Sequence, residues 1–373
     1  MNRRFVKIIS VVMIISMIAT SCVFAGSENT KANCSRPNVS NKTTVEVNGF
    51  EFDILECENE DCSITREYQK ESDVGLTYDQ TIALMYALGM NEKEIYANTK
   101  ENLNEISKTD KIKVTVVYSK IDGVTGSVIN LSEYEALNQL ENNLSENECT
   151  DPVKLIGKHK PTVYTTKDDI ICDKTAVLAN DSRTFQDSWM RITTTCTHVT
   201  GTTNDYRIAT YATWLNSPTL RWKDAVGISA TNCTIQSGTL SGYLSYTETT
   251  VISGVSTSSQ TKYNSITWGN LYNLSNGGWR CGAGLVDLPK DSLDLYDQTG
   301  VNIYCSNIFE YVSCYITVSS TATSFSVAGS HSHGKGLFNS SLSVGLDSTG
   351  GVELTPTSTI LQDKRKETIS VTI

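Results

Sequence analysis

Two histidines two residues apart, in Ser330-His331-Ser332-His333, are the side chains of this sequence best spaced to bind a metal ion. On an extended strand, residues two apart share a face, so both imidazoles reach one ion. Phe325 and Val327 precede them in the same row, which places the pair at the wet end of a core-facing strand. The flanking Gly329, Gly334 and Gly336 suit a turn instead, and an exposed turn or strand end is the plainer expectation. No third ligand is named by the spacing. Cys196-Thr197-His198 sets a thiol and an imidazole on one strand face, as a thiol nucleophile needs. In an oxidising compartment, however, Cys196 reads as half of a disulfide. Asp287, Asp291, Asp294 and Asp297 make an acidic loop that would suit calcium, without the glycine and alternating oxygens of a calcium loop. Glu56, Glu58, Glu60 and Asp61 read as a solvated loop, pinched by Cys57 and Cys62 on either side. No local pattern singles out a carboxylate pair for glycoside hydrolysis. Gly227-Ile-Ser229-Ala-Thr231 breaks the nucleophile-elbow pattern at its last position, and there is no His-Glu-x-x-His or phosphate loop. No catalytic residue and no cofactor is assigned from these patterns.

The compartment narrows the chemistry further. Arg3, Arg4 and Lys7, an apolar run from Ile8 to Ile18, and Val23-Phe24-Ala25 read as a secretory signal peptide cleaved after Ala25. The run is too short for a stable membrane span. Cys22, after Ala19-Thr20-Ser21, offers lipidation as the alternative. Either way the expected location is secreted or cell-surface, with no transmembrane segment in the mature chain. Cleavage leaves ten of eleven cysteines, at Cys34, Cys57, Cys62, Cys149, Cys172, Cys196, Cys233, Cys281, Cys305 and Cys314. An even count in an exported chain predicts disulfides, paired within each half, with Cys305 and Cys314 flanking a hairpin as the favoured pair. The absence of any Cys-x-x-Cys counts against zinc thiolates.

Composition shifts along the 373 residues. Residues 26–170 carry a net charge of −11 and residues 171–373 a net of −2, while all five tryptophans fall in the second stretch. The acidic balance argues against a nucleic-acid partner held by bulk electrostatics. The expected organisation is a signal peptide at 1–25, an acidic α+β unit at 26–148, a linker at 149–188, and a disulfide-supported all-β domain at 189–373. In the first unit Thr44–Leu55 alternates as a strand, and Thr77-x-x-Gln80 has capping-box spacing ahead of a helix stopped at Gly89. A further helical stretch from Glu92 to Ile106 is broken near Asn98-Thr99. Ile112, Val114, Val116 and Tyr118 line one face of a strand, and Ser132-x-x-Glu135 opens another helix. Beyond residue 189, β-branched and polar residues alternate between glycine- and asparagine-rich turns, without an amphipathic helix. The fold class is therefore mainly β: an antiparallel β-sandwich or open barrel preceded by a small α+β unit. Trp214 and Trp279 read as core, and Trp222, between Arg221 and Lys223, as the ring exposed for aromatic contact.

Ala212-Thr-Trp214-Leu215, Pro218, Arg221, Asp224-Ala-Val-Gly227 and Ser241-Gly242-Tyr243 form a pattern similar to one in exported β-rich proteins of Gram-positive, Bacillus/Clostridium-type bacteria. Asn276-Gly-Gly-Trp279 through Asp287-Leu288-Pro289, Glu367-Thr-Ile-Ser-Val371, and the stretch from Leu88-Gly89-Met90 to Ile106 extend the resemblance. It implies an exported β-rich protein and carries no catalytic residue. The leading expectation is a non-catalytic binding or envelope-associated protein whose partner is a cell-envelope component or an extracellular protein. A carboxylate-based secreted hydrolase and a secreted toxin or antimicrobial protein with a removable N-terminal pro-region are the alternatives. The linker generates the first test. Lys154, Lys158, Lys160, Lys167, Lys174 and Arg183 supply trypsin sites where few contacts are expected. Limited trypsin should cut within 149–188 first, and mass spectrometry showing earlier cuts inside 189–373 would misplace the boundary.

Overall fold

A computed structural model describes residues 40–70, 74–121, 127–145, 188–216, 223–252, 255–265, 271–290, 301–335, 342–355 and 361–373. The elements run in order β1 (Ser40–Val47), β2 (Phe50–Glu58), β3 (Ile64–Gln69), α1 (Tyr78–Ala87), α2 (Glu92–Tyr96), α3 (Lys100–Ile106), β4 (Lys111–Ile121), β5 (Val128–Leu131) and α4 (Glu133–Ser145). Then follow β6 (Ser188–His198), β7 (Asp205–Asn216), β8 (Lys223–Thr231), β9 (Cys233–Ile235), β10 (Ser241–Ile252), β11 (Val255–Ser265), β12 (Leu271–Asn276) and β13 (Trp279–Asp287). The chain ends with β14 (Val301–Val318), β15 (Ser324–Lys335), β16 (Ser343–Leu346), β17 (Val352–Thr355) and β18 (Leu361–Thr372). The described chain is mainly β and its sheets are antiparallel, as the alternating pattern requires.

Local signals set several elements. Thr77 and Gln80 close the capping box at the start of α1, and Gly89 ends that turn at φ 87°. Asn91 and Thr99 cap α2 and α3, which is the break expected near Asn98-Thr99. The expected single strand from Thr44 to Leu55 is instead a hairpin. Asn48 and Gly49 take φ values of 53° and 78°, the left-handed pair of a two-residue turn that matches strand twist.

The larger sheet runs β1-β2-β3-β4-β6-β7-β14-β10-β11, with β5 beside β4 and β9 beside β14. The smaller sheet runs β12-β13-β8-β15-β18, and β16 pairs with β17. Three apolar layers follow from this stacking. Met190, Ile192, Ile208, Trp214, Val226, Ile228, Val312 and Val327 pack between the two sheets. Leu84, Met85, Leu88 and Ile95 of the helices pack on the outer face of the larger sheet, against Tyr211, Phe309 and Tyr311. Val344, Leu346, Val352 and Leu354 cover the outer face of the smaller sheet. Strands buried on both faces lose the alternation that marks half-buried ones. That is why β8, with Asp224 through Ala230 all buried, escapes the sequence pattern.

β4 pairs with β6 over ten residues, from Ile112↔Thr197 to Ile121↔Ser188, so one sheet crosses the compositional boundary near residue 170. The described residues form one compact unit. The linker 149–188 lies outside the described residues except Ser188. The favoured Cys305–Cys314 bridge is overturned, because both residues sit on the single strand β14. Nine residues of extended chain separate them by about 30 Å, whereas a disulfide needs Cα atoms within about 7 Å.

The sheets approach closely at Gly329. A Cβ there would overlap Thr194 Oγ1 and lie 2.9 Å from Thr210 Oγ1 on the facing sheet. Gly329→Ala is expected to lower unfolding free energy by about 1–3 kcal/mol through overpacking. Urea denaturation reads this, and an unchanged midpoint would show that the sheets yield there.

Candidate functional site

Register brings a group of ionisable side chains onto the inner face of the smaller sheet. His333 pairs with Asp224 on β8 and with Asp363 on β18, while His331 pairs with Arg365 on β18. Directly paired residues point to the same side, so Asp224, His331, His333 and Arg365 all face the larger sheet. Trp214 on β7 and Glu310 on β14 meet them from that sheet. Asp224, Glu310 and His331 are wholly buried, and His333 and Arg365 are nearly so. The expected exposed turn for the two histidines is thus corrected: they lie mid-strand between sheets.

Asp224 is the hub. Its Oδ2 accepts from Trp214 Nε1 at 3.1 Å and pairs with His331 Nε2 at 3.0 Å, while Oδ1 pairs with His333 Nδ1 at 2.6 Å. Arg365 Nη1 lies 2.8 Å from His331 Nδ1. A guanidinium only donates, so Nδ1 accepts, and a neutral His331 carries its proton on Nε2 toward Asp224. Both imidazoles stand edge-on to the Trp214 ring, and the Arg365 guanidinium lies 5.1 Å from that ring's centroid. Burial opposes the Asp224 charge, but His333 and His331 beside it hold its carboxyl far below the usual range. Glu310 behaves oppositely. Burial, with Asp224 next to it, pushes its carboxyl up to about 8. His331 Nε2 is 3.5 Å from Glu310 Oε2, and neither Glu310 oxygen has a hydrogen-bond partner. Asp224, Glu310 and His331 present ligand atoms all within 4.8 Å of one another.

Two further buried networks flank this hub. Thr194 Oγ1 donates to Glu367 Oε1, and burial drives the Glu367 carboxyl well above its usual range. On the helical side Arg191 Nη2 meets Glu94 Oε2 at 3.2 Å and donates to Gly89 O, and Thr193 Oγ1 donates to Glu94 Oε1 at 2.8 Å.

The other candidates separate. Cys196 and His198 do not form a thiol–imidazole pair: His198 Nδ1 meets Asp110 at 2.6 Å, and burial pushes the Cys196 thiol up to about 12. Asp287 pairs with Lys223 at 2.6 Å, and Asp291, Asp294, Asp297 and Trp222 lie outside the described residues. Cys57, Cys196, Cys233, Cys281, Cys305 and Cys314 are thiols, correcting the disulfides expected of them. Cys62 is disulfide-bonded, and Cys34, Cys149 and Cys172 lie outside the described residues. The Cys57–Cys62 pinch is therefore absent. Asp61 Oδ1, accepting from Ser63 N and Oγ, shapes that turn instead. Trp214 and Trp279 pack in the apolar layers as expected. Sequence reasoning missed Asp224 and Glu310. The polar residue at the start of Asp224-Ala-Val-Gly-Ile-Ser-Ala was the available signal for the first, and Glu310 within Ile308-Phe-Glu-Tyr-Val312 for the second.

Two recesses on the described surface lie away from this cluster. One of about 410 Å³ adjoins Phe50, Tyr68 and Leu76, and another of about 600 Å³ adjoins Cys233 and Arg280. Among the described residues no helix is long and apolar enough to cross a membrane. The sequence matches no protein-family model and no curated protein. Among solved structures the chain has a distant likeness to several, of which three follow. The collagen-binding subdomain of the Enterococcus faecalis surface protein ACE is 13% identical, over 47% of this chain and 92% of its own, at TM-score 0.19. A structure described as a pore forming protein is 7% identical, over 50% and 87%, at TM-score 0.22. The Clostridium perfringens NetB toxin in its membrane inserted form is 7% identical, over 51% and 92%, at TM-score 0.20. At these scores the likeness assigns no family and no ligand.

Asp224→Ala leaves the Trp214, His331 and His333 donors without their acceptor. It should destabilise the protein by about 3–5 kcal/mol, the loss typical of breaking a buried charged network. A change below about 1 kcal/mol in chemical denaturation would show that these donors find other partners.

Proposed function

We propose that this is an exported, non-catalytic binding protein that attaches to a cell-envelope component or an extracellular protein. One observation carries the reading. The group of side chains with the strongest chemical potential, Asp224, Glu310, His331 and His333, is sealed between two sheets with at most 2% exposure. A hydrolase needs its acid and its nucleophile or base in a cleft that admits substrate. The raised Glu310 carboxyl has the protonation state of a general acid, but neither surface recess includes it. What the described surface offers instead is aromatic. Tyr78, Tyr96 and Tyr134 are 54%, 58% and 67% exposed on the helical segments, the phenol being a frequent anchor in protein and sugar contacts. Burial, with Glu92 and Tyr78 close by, raises the Tyr96 phenol above its ordinary range.

A second reading has its own observation. The helices lie over an apolar face of β7 and β14, and they are tied there by Tyr211 Oη to Asn98 at 3.2 Å and Tyr315 Oη to Glu105 at 2.5 Å. A removable N-terminal pro-region would uncover Tyr211, Phe309 and Tyr311. It would also strip β4 from β6, so its release would alter the sheet itself.

Sedimentation with purified Gram-positive cell walls tests the leading reading. The mature protein should co-sediment, and replacing Tyr78, Tyr96 and Tyr134 together by Ala should weaken binding at least about tenfold, the effect of a lost aromatic hot spot. Hydrolysis of wall polysaccharide abolished by Glu310→Gln in a folded variant would replace this reading with the hydrolase.

A further inference from the structure

We propose that Asp224, Glu310 and His331 form an intersheet site for one divalent transition-metal ion of the zinc class, with a structural role. The inference is independent of the binding reading above, because a sealed metal serves any function of the surface.

The geometry supplies the first argument. Three ligands arrive from three strands and both sheets, with His331 Nε2 3.0 Å from Asp224 Oδ2 and 3.5 Å from Glu310 Oε2. Ligand bonds of about 2.0–2.1 Å in a tetrahedron put neighbouring donor atoms about 3.3 Å apart, which these separations bracket. One nitrogen and two carboxylates suit zinc and its neighbours, whereas calcium takes six to eight oxygens. His333, through its Nδ1 on Asp224 Oδ1, would hold the Asp224 carboxylate in orientation, the usual task of a group behind a ligand.

Glu310 supplies the second, independent argument. Its carboxyl is wholly buried and neither oxygen is hydrogen-bonded, the His331 Nε2 at 3.5 Å being turned to Asp224 at 3.0 Å. Buried polar atoms are nearly always partnered, and an orphaned carboxyl aimed at a second carboxylate and an imidazole points to an ion or water. Charge agrees. The acids buried in this intersheet layer are Asp224, Glu310, Asp363 and Glu367, and Arg365 is the permanent cation among them.

Arg365 makes the proposal specific. An imidazole bound to metal through Nε2 carries its proton on Nδ1, where Arg365 now donates. Loading therefore requires the guanidinium to leave His331. Its present acceptors are His331 Nδ1 and, at 3.1 Å, Met190 Sδ, neither of them a carboxylate. Arg365 thus stands in for the metal's charge and competes with it.

The test uses the full mature chain, purified without a histidine tag and dialysed against zinc, with metal counted by mass spectrometry. Wild type should hold about one zinc per chain, and Glu310→Gln and His331→Gln should bind at least about tenfold more weakly. Arg365→Gln should bind more tightly than wild type, an outcome no purely structural polar network produces. His198→Ala, away from the site, should match wild type. Cobalt(II) added to wild type reads the site without any variant, as an intense visible band of tetrahedral coordination. Less than about a fifth of a zinc per chain in wild type, or no cobalt band, overturns the proposal. So does equal loading in folded Glu310→Gln and His331→Gln, which would place the metal elsewhere.

Discussion

A carboxylate removed from water between two sheets must be answered by donors fixed in place, and Asp224 imposes that demand here. Taking such a charge out of water costs several kcal/mol even after relaxation. It is recovered only when Trp214 from the larger sheet and His331 and His333 from the smaller one reach it together. The requirement acts on register as well as packing. Sliding β8 or β15 by one residue would turn these side chains to the opposite face, away from their partners. The cluster therefore specifies one alignment among those that apolar residues such as Val226, Ile228 and Val327 alone would tolerate.

The same logic joins the two halves of the chain. The larger sheet presents Arg191 and Thr193 to Glu94 on the helical side, while Met190, Ile192 and Thr194 on the same strand face the smaller sheet. On the helical side Leu84, Met85 and Ile95, from before residue 170, share one apolar layer with Trp189, Tyr211 and Phe309 from beyond it. Lys111 and Lys113 on β4 donate to carbonyls of Thr372 and Ser370 on β18, so the edge of the smaller sheet is also covered by the early part of the chain.

Burial governs the thiols too. Cys281 and Cys314 are enclosed in apolar surroundings that push their thiols above the ordinary range. A thiol held protonated is a poor nucleophile and a slow oxidant target, so these cysteines act as small apolar fillers. Large exposed phenols, by contrast, stand on the helical segments at Tyr78, Tyr96 and Tyr134.

Much of the secondary structure was legible in the sequence, because half-buried strands alternate and helix ends carry caps. Thr77 and Gln80, Asn98-Thr99 and the row from Ile112 to Tyr118 sit where their spacing placed them. The shared face of His331 and His333 was legible for the same reason, since a strand's period of two is local. β8 was not legible, because a strand enclosed on both faces has no polar side to mark it. Asp224 and Glu310 joined the histidines only through pairings that span 107 and 21 residues of chain. Cysteine pairing failed likewise, since an even count says nothing of whether two residues share one long strand. The sequence by itself determined a mainly β chain, its helix caps and the histidine face. Only the tertiary structure decided that the chemistry is sealed, because burial depends on which face each sheet turns toward the other.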